Sequence, residues 1–207
     1  INPFKLEMMR ALGANVELSG KDFDTAKAKG REHAKKLNAR FVEDTIDIET
    51  LEGAGTLGLE LLKLPYKLDA LLIALGDGAM FTGISRIMKK YSPTTQVVAI
   101  QSEGAPALIE SIRQNRYVSY DKTNTIADGI AVRLPMKQAI KDLKYLVDDT
   151  ILVKDESIKE GMKLINQHLG IVAEPSAAVG IAALLENKAK YKGENVGIII
   201  CGSNTTL

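Results

Sequence analysis

DALLIALGDGAMFTGISR, residues 69 to 86, is the stretch around which the rest of the sequence is read. Its apolar run, residues 70–75, has the length of a strand. Gly76, Asp77, Gly78 and Ala79 break that run, and an amphipathic helical pattern then continues to Lys90. A strand handed by a glycine turn to a helix is the unit of a parallel α/β sheet. It leaves unpaired N–H groups at the positive end of the helix dipole. The turn has two readings: a tight strand-to-helix connection, or a cradle for an anion such as a phosphate. Residues 95–102 follow as a second buried strand and end at Glu103, the order expected of a dinucleotide site. The dinucleotide fingerprint, however, needs a third glycine at position 81, where Phe81 stands; the next glycine is Gly83. A single phosphate fits this loop better than a pyrophosphate.

Downstream, a helix over 104–114 is entered through Pro106, and a short strand is expected over 117–120. A polar loop follows, ending in Thr125, Ile126, Ala127, Asp128 and Gly129, which has the character of a site wall. Helix 136–144 and strand 146–153 come next. Asp148 and Asp149 could be a metal pair, but adjacent strand side chains point to opposite faces, which favours a turn or an edge. Asp155 or Ser157 is placed to cap a helix running to His168, itself a favourable cation at a helix C-terminus. A small-residue helix over 177–185 and a buried strand over 195–200 complete the pattern, and the strand leads into Cys201, Gly202, Ser203 and Asn204. The alternation predicts an α/β fold, a mainly parallel doubly wound sheet with helices on both faces.

Upstream, Pro3 opens a helix closed by Gly13, and Asp22 or Asp24 caps a lysine-rich helix reaching about Asn38. Short strands are expected over 15–18 and 40–43. These elements predict part of a smaller α/β lobe over residues 1–54, with a large domain over 55–207. Gly53, Ala54, Gly55 and Thr56, ahead of a helix stopped by Pro65, have two readings, the turn between the lobes or a second anion-binding turn.

Composition limits the partners. The 207 residues are 45% hydrophobic and 26% charged, and 27 Lys+Arg against 26 Asp+Glu leave a formal charge of +1. Nothing in that balance steers the chain to nucleic acid or to an acidic membrane, so small molecules or copies of itself are the expected partners. One cysteine, Cys201, allows no internal disulfide, and His33 and His168 are too far apart to suggest a metal cluster. No apolar run approaches the ~20 residues of a membrane span, and the expected location is the cytoplasm. The opening Ile1, shortly before a helix, leads us to expect a fragment or a processed product.

Six ordered segments, GDGAMFTGI, EGAPAL, TIADGIAVRLP, LVDDTILV, IVAEPSAAVGIAALL and IIICGSNTTL, resemble the pyridoxal-phosphate-dependent serine/threonine dehydratases of the tryptophan-synthase-β, fold type II, group. The resemblance implies pyridoxal 5'-phosphate as cofactor, an amino-acid substrate, and an ammonia-lyase yielding a 2-oxo acid. Racemisation or β-replacement on the same fold remains open beside it, as does a non-catalytic binding module on a truncated fold. It places the cofactor phosphate on Gly76, Asp77, Gly78 and Ala79, with Met80 where a leucine is usual. Asp77 is a departure, a carboxylate beside a dianion. Cys201 matches the Ser or Cys beside the pyridine nitrogen. Glu174 matches the glutamate near the ring in racemase-like relatives, which makes it the candidate catalytic residue, with a helix-capping carboxylate as its other reading. Glu103 and Ala107 match cation ligands in some relatives, but Ile109 replaces the aspartate, so no tight metal site is expected. No stretch matches the family's Schiff-base lysine motif or its substrate-carboxylate loop, and both are expected to precede Ile1. An oligomer, or an N-terminal piece of the same protein bound alongside, is the expected partner.

Overall fold

In the computed structural model, which describes residues 1–205, the elements run α1 (Pro3–Ala11), α2 (Phe23–Lys36), α3 (Ile48–Leu61), β1 (Ala70–Ala74), α4 (Ala79–Tyr91), β2 (Gln96–Ser102), α5 (Ala107–Gln114), α6 (Lys137–Leu143), β3 (Asp149–Val153), α7 (Asp155–Leu169), α8 (Pro175–Glu186) and β4 (Val196–Ile198). The two-residue period of β1 explains the layers. Leu71 and Ile73 point into one core with Phe81, Ile84 and Met88 of α4, Leu108 and Ile109 of α5, and Leu143 of α6. Ala70, Leu72 and Ala74 point into the other, against Ile158 and Ile165 of α7 and the alanines of α8. Every residue of β1 is buried, as a central parallel strand covered on both faces requires.

All three strand pairs are parallel, in the order β3-β2-β1-β4. From β1 the chain steps outward to β2 and β3 through α4, α5 and α6 on one face. It then returns through α7 and α8 on the other face to lay β4 on the opposite side of β1. Winding therefore reverses between β1 and β4, and a crevice opens beyond their carboxyl ends. In open α/β sheets ligands bind at this position.

The expected doubly wound sheet is present, but the N-terminal region differs from expectation. Residues 15–18 and 40–43 form no strand, and neither do residues 117–120. Alternation alone does not make a strand: among the described residues the first two segments find no ladder partner, and Leu18 and Val42 remain exposed. Residues 117–120 are tied down instead by single bonds, Tyr120 N–H to Arg133 C=O at 3.1 Å and Val118 N–H to Ser111 Oγ at 3.0 Å.

The expected lobe-crossing turn at Gly53 to Thr56 is also absent, because α3 runs straight through it. Two of its glycines, Gly55 and Gly58, serve its packing on α4, as does Gly83 of α4 itself. A Cβ at Gly58 would stand 2.8 Å from Ile87 Cβ, and one at Gly83 would stand 2.3 Å from Leu51 O. The expected division between residues 54 and 55 falls within this helix. Further along, Asp148 lies just before β3, where Oδ2 accepts from Val97 N–H at 2.7 Å and Oδ1 accepts from Lys89, an edge clasp of the expected kind. α7 takes Lys154, not Asp155 or Ser157, as its N-cap, because the Asp155 carboxylate is engaged elsewhere.

Candidate active-site crevice

The crevice is built first by the end of β1. Leu75 N–H donates to Ile100 C=O at 2.8 Å, the last bond of the ladder there, and the chain then leaves the sheet through Gly76. A Cβ at Gly76 would stand 3.3 Å from Gly129 O, so two backbones close on each other at this point. Gly78 has φ +108° and serves as the N-cap of α4 without any side-chain cap. The first bond into the helix runs from Thr82 N–H to Gly78 C=O at 2.8 Å. The amides of Ala79, Met80 and Phe81 precede it and form the donor-rich end of a thirteen-residue helix.

The opposite wall is the end of β4. Glu174 N–H donates to Gly202 C=O at 2.9 Å, and Asn204 N–H donates to Glu174 Oε1 at 2.9 Å. These bonds staple the segment after β4 to the start of α8. Glu174 stands at the N-cap position of α8, yet its side chain does not cap that helix. Its other oxygen, Oε2, accepts from Lys5 Nζ at 2.8 Å, and Lys5 also reaches Asp128 at 3.2 Å. Burial acts to lower the Lys5 ammonium, but its bonds to Glu174 and Asp128 outweigh that and raise it. Cys201 is open to the crevice, while the surrounding protein pushes its thiol up and the nearby Glu174 charge adds to the shift.

A third wall is the loop before α6, where Gly129 and Ile130 face the cavity. Asp155, at the first turn of α7, holds that loop: Oδ1 accepts from Thr125 Oγ1 at 2.7 Å and from Ser102 Oγ at 3.1 Å, and Oδ2 accepts from Ile126 N–H at 2.9 Å. We expect Asp155→Ala to lower the unfolding free energy by about 2 kcal/mol and to loosen this wall. Urea unfolding with limited proteolysis at residues 121–127 measures both effects. A loss under about 0.5 kcal/mol with unchanged cleavage would show that the loop stands without Asp155.

These walls enclose one cavity of about 300 Å³. Gly76, Asp77, Gly78, Ala79 and Met80 line one end of it, and Glu174 and Cys201 line the other. Residues far apart in sequence are thus gathered at the reversal point of the sheet. The size is at the lower end of small-ligand sites, and the cradle supplies backbone donors for the phosphate of the cofactor that the resemblance implies. The Asp77 side chain does not line up with those donors. It takes the Lys27 ammonium of α2, while Thr45 Oγ1 donates to the Asp77 carbonyl at 3.2 Å.

The family described as pyridoxal-phosphate dependent enzyme matches residues 1–202. The chain belongs to this family. It is 34% identical over 200 residues to the L-threonine ammonia-lyase of Thermotoga maritima, covering 97% of this chain and 50% of that protein. It is 31% identical over 206 residues to a catabolic L-threonine dehydratase of Staphylococcus aureus, covering 98% and 60%. The chain therefore spans half to three-fifths of the length of these curated relatives. Among solved structures, the threonine deaminase of T.th. superposes with a TM-score of 0.91 at 26% identity, covering 100% of this chain and 68% of that one. Maize serine racemase superposes at 0.90 and 26%, covering 99% and 64%.

Several residues of the crevice carry no local sequence signal. Lys5 and Lys27 lie on the first two helices, and their acidic partners are 169 and 50 residues away. Asp155 reads as a helix cap. Gly129 owes its place to Ser176, whose Oγ would stand 2.7 Å from a Cβ there, a close approach invisible before folding.

Proposed function

We propose that the protein to which this chain belongs is an ammonia-lyase of the dehydratase type acting on L-threonine or L-serine, with this chain forming the phosphate and ring-nitrogen side of its cofactor site. The observation that supports it is the cavity joining the glycine cradle after β1 to Cys201 after β4. Pyridoxal phosphate, when bound, supplies the electron sink that makes the substrate's α-proton acidic. The amides of Ala79, Met80 and Phe81 would hold its phosphate from the end of α4. The Cys201 thiol, pushed up by the surrounding protein and by the Glu174 charge and so kept neutral, would offer the ring a neutral partner in place of a carboxylate, a setting that favours elimination over transamination. Glu174, clasped by Lys5 and by Asn204 N–H, keeps a fixed acceptor at the same end of the crevice. The net reaction removes the α-proton and β-hydroxyl as water, after which the released enamine hydrolyses to a 2-oxo acid and ammonia.

Racemisation is the second reading, favoured by the superposition on maize serine racemase. The two separate in one experiment. The purified full-length protein is incubated with pyridoxal phosphate and L-threonine or L-serine, 2-oxo acid is read by reduction with lactate dehydrogenase, and serine enantiomers are resolved by chiral chromatography. The lyase reading expects 2-oxo acid formation to exceed D-serine formation. D-serine as the main product would replace it with the racemase reading, and neither product would sink both.

A further inference from the structure

Where the glycine-rich cradle of the crevice carries an acidic residue, a second charge stands behind it. The Asp77 and Lys27 side chains are only 5% and 9% exposed, and Lys27 Nζ donates to Asp77 Oδ2. Lys27 also lies 3.4 Å from Glu43 Oε1, and Arg31 Nε donates to Glu43 Oε2 at 2.8 Å. Two cations and two carboxylates thus join α2 and the segment before α3 to this loop. Asp77 Oδ1 is buried with no hydrogen-bond partner among the described residues, so Lys27 is the compensation this carboxylate has.

We propose that Lys27 is a positioning residue of the phosphate cradle, cancelling the charge of Asp77 so that the loop accepts an anionic phosphate despite a carboxylate within it. This rests on the reading of that loop as a phosphate site. An ion pair at this burial is costly to break, because removing one partner strands the other charge in a poorly solvated place. Burial tends to lower the Lys27 ammonium, but its bond to Asp77 reverses that, so the lysine stays charged at neutral pH. Burial likewise pushes the Asp77 carboxyl up, and Lys27 opposes the shift. The other charges near Asp77 are the carboxylates of Asp24 on α2 and Asp44 before α3, and the Arg31 guanidinium, which Glu43 already engages. Among the described residues no uncommitted cation therefore takes over if Lys27 is lost.

The test titrates the full-length apo protein with inorganic phosphate and, separately, with pyridoxal phosphate, by calorimetry at pH 8. Lys27→Met is expected to weaken both by about tenfold or more, since one uncompensated charge then faces the dianion. The ratio of its Kd to that of the wild type should fall towards pH 6: without the ammonium, the Asp77 carboxyl rises further and takes up a proton, which removes the repulsion. Lys27→Met/Asp77→Asn should recover most of the affinity, an outcome a merely structural lysine would not produce. Should Lys27→Met fail to fold, Asp77→Asn alone decides, because it should bind phosphate several-fold more tightly than the wild type. Equal affinity of Lys27→Met and wild type, no recovery in the double variant, or weaker binding by Asp77→Asn would each overturn the proposal. A wild type that binds phosphate but not pyridoxal phosphate would overturn the cofactor reading and leave this inference standing.

Discussion

Gly78→Val should lower the affinity of the protein for pyridoxal phosphate by about a hundredfold, which corresponds to about 2.7 kcal/mol. The reason is local geometry. Gly78 holds φ +108°, a conformation that a β-branched L-residue adopts only with strain of about 1–3 kcal/mol. A Cβ at this position already touches Ala139 Cβ and Leu143 Cδ1 of α6 at 3.5 Å, so the γ-methyls of valine have nowhere to go without moving that helix. The loop is expected to swing to negative φ, and the amides of Ala79, Met80 and Phe81 then no longer converge. Fluorescence titration of the apo protein reads the loss, and circular dichroism separates it from unfolding. Gly53→Ala serves as the comparison: that glycine is helical, with nothing within 4 Å of the added methyl, and its replacement should stabilise the protein by about 0.5–1 kcal/mol without changing cofactor affinity. Equal cofactor binding by Gly78→Val and wild type would move the phosphate site elsewhere.

That contrast between two glycines shows what was legible in the sequence and what was not. A glycine turn after a buried strand and before an amphipathic helix has a local physical signature, so β1, Gly76, Gly78 and α4 were readable from eighteen residues. The later strands and the small-residue helix were readable for the same reason, because apolar runs bounded by turns carry their burial with them. Glycines within α3 have no such signature. In sequence Gly53 and Gly55 look like a turn, yet they lie in a helix whose close neighbour, α4, is far along the chain. The false strands at 15–18 and 40–43 failed in the same way: their alternation is real, but pairing requires an edge that local pattern does not reveal. Pairs such as Lys27 with Asp77 and Lys5 with Glu174 are products of tertiary packing, in which α1 and α2 lay their lysines against loops 169 and 50 residues further along the chain. Recognising Asp77 as a departure in the cradle was possible from sequence; finding its counter-charge was not.

Gly83→Val should cost about 3 kcal/mol of stability and lower the melting temperature by roughly 10 °C. Gly83 sits on the second turn of α4, where α3 crosses. A Cβ there would stand 2.3 Å from the Leu51 carbonyl oxygen, 2.7 Å from Ala54 Cβ and 2.8 Å from Gly55 N. Two of these three atoms are backbone, so no rotamer change can relieve the overlap; the helices must separate. Separation would open the packing of Ile87 against Gly55 and Gly58 and expose apolar surface that α3 now covers. Because α4 carries at its N-terminus the amides of Ala79, Met80 and Phe81, where we propose that the phosphate binds, the same displacement should weaken cofactor binding, though by less than Gly78→Val, since the loop itself keeps its backbone conformation. Thermal unfolding with and without pyridoxal phosphate separates the two effects: the apo protein should show the full loss, and saturating cofactor should recover part of it by mass action. An apo melting temperature within about 2 °C of the wild type would mean that α3 is free to shift at little cost, and that its tight seat on α4 does not hold the cradle in place.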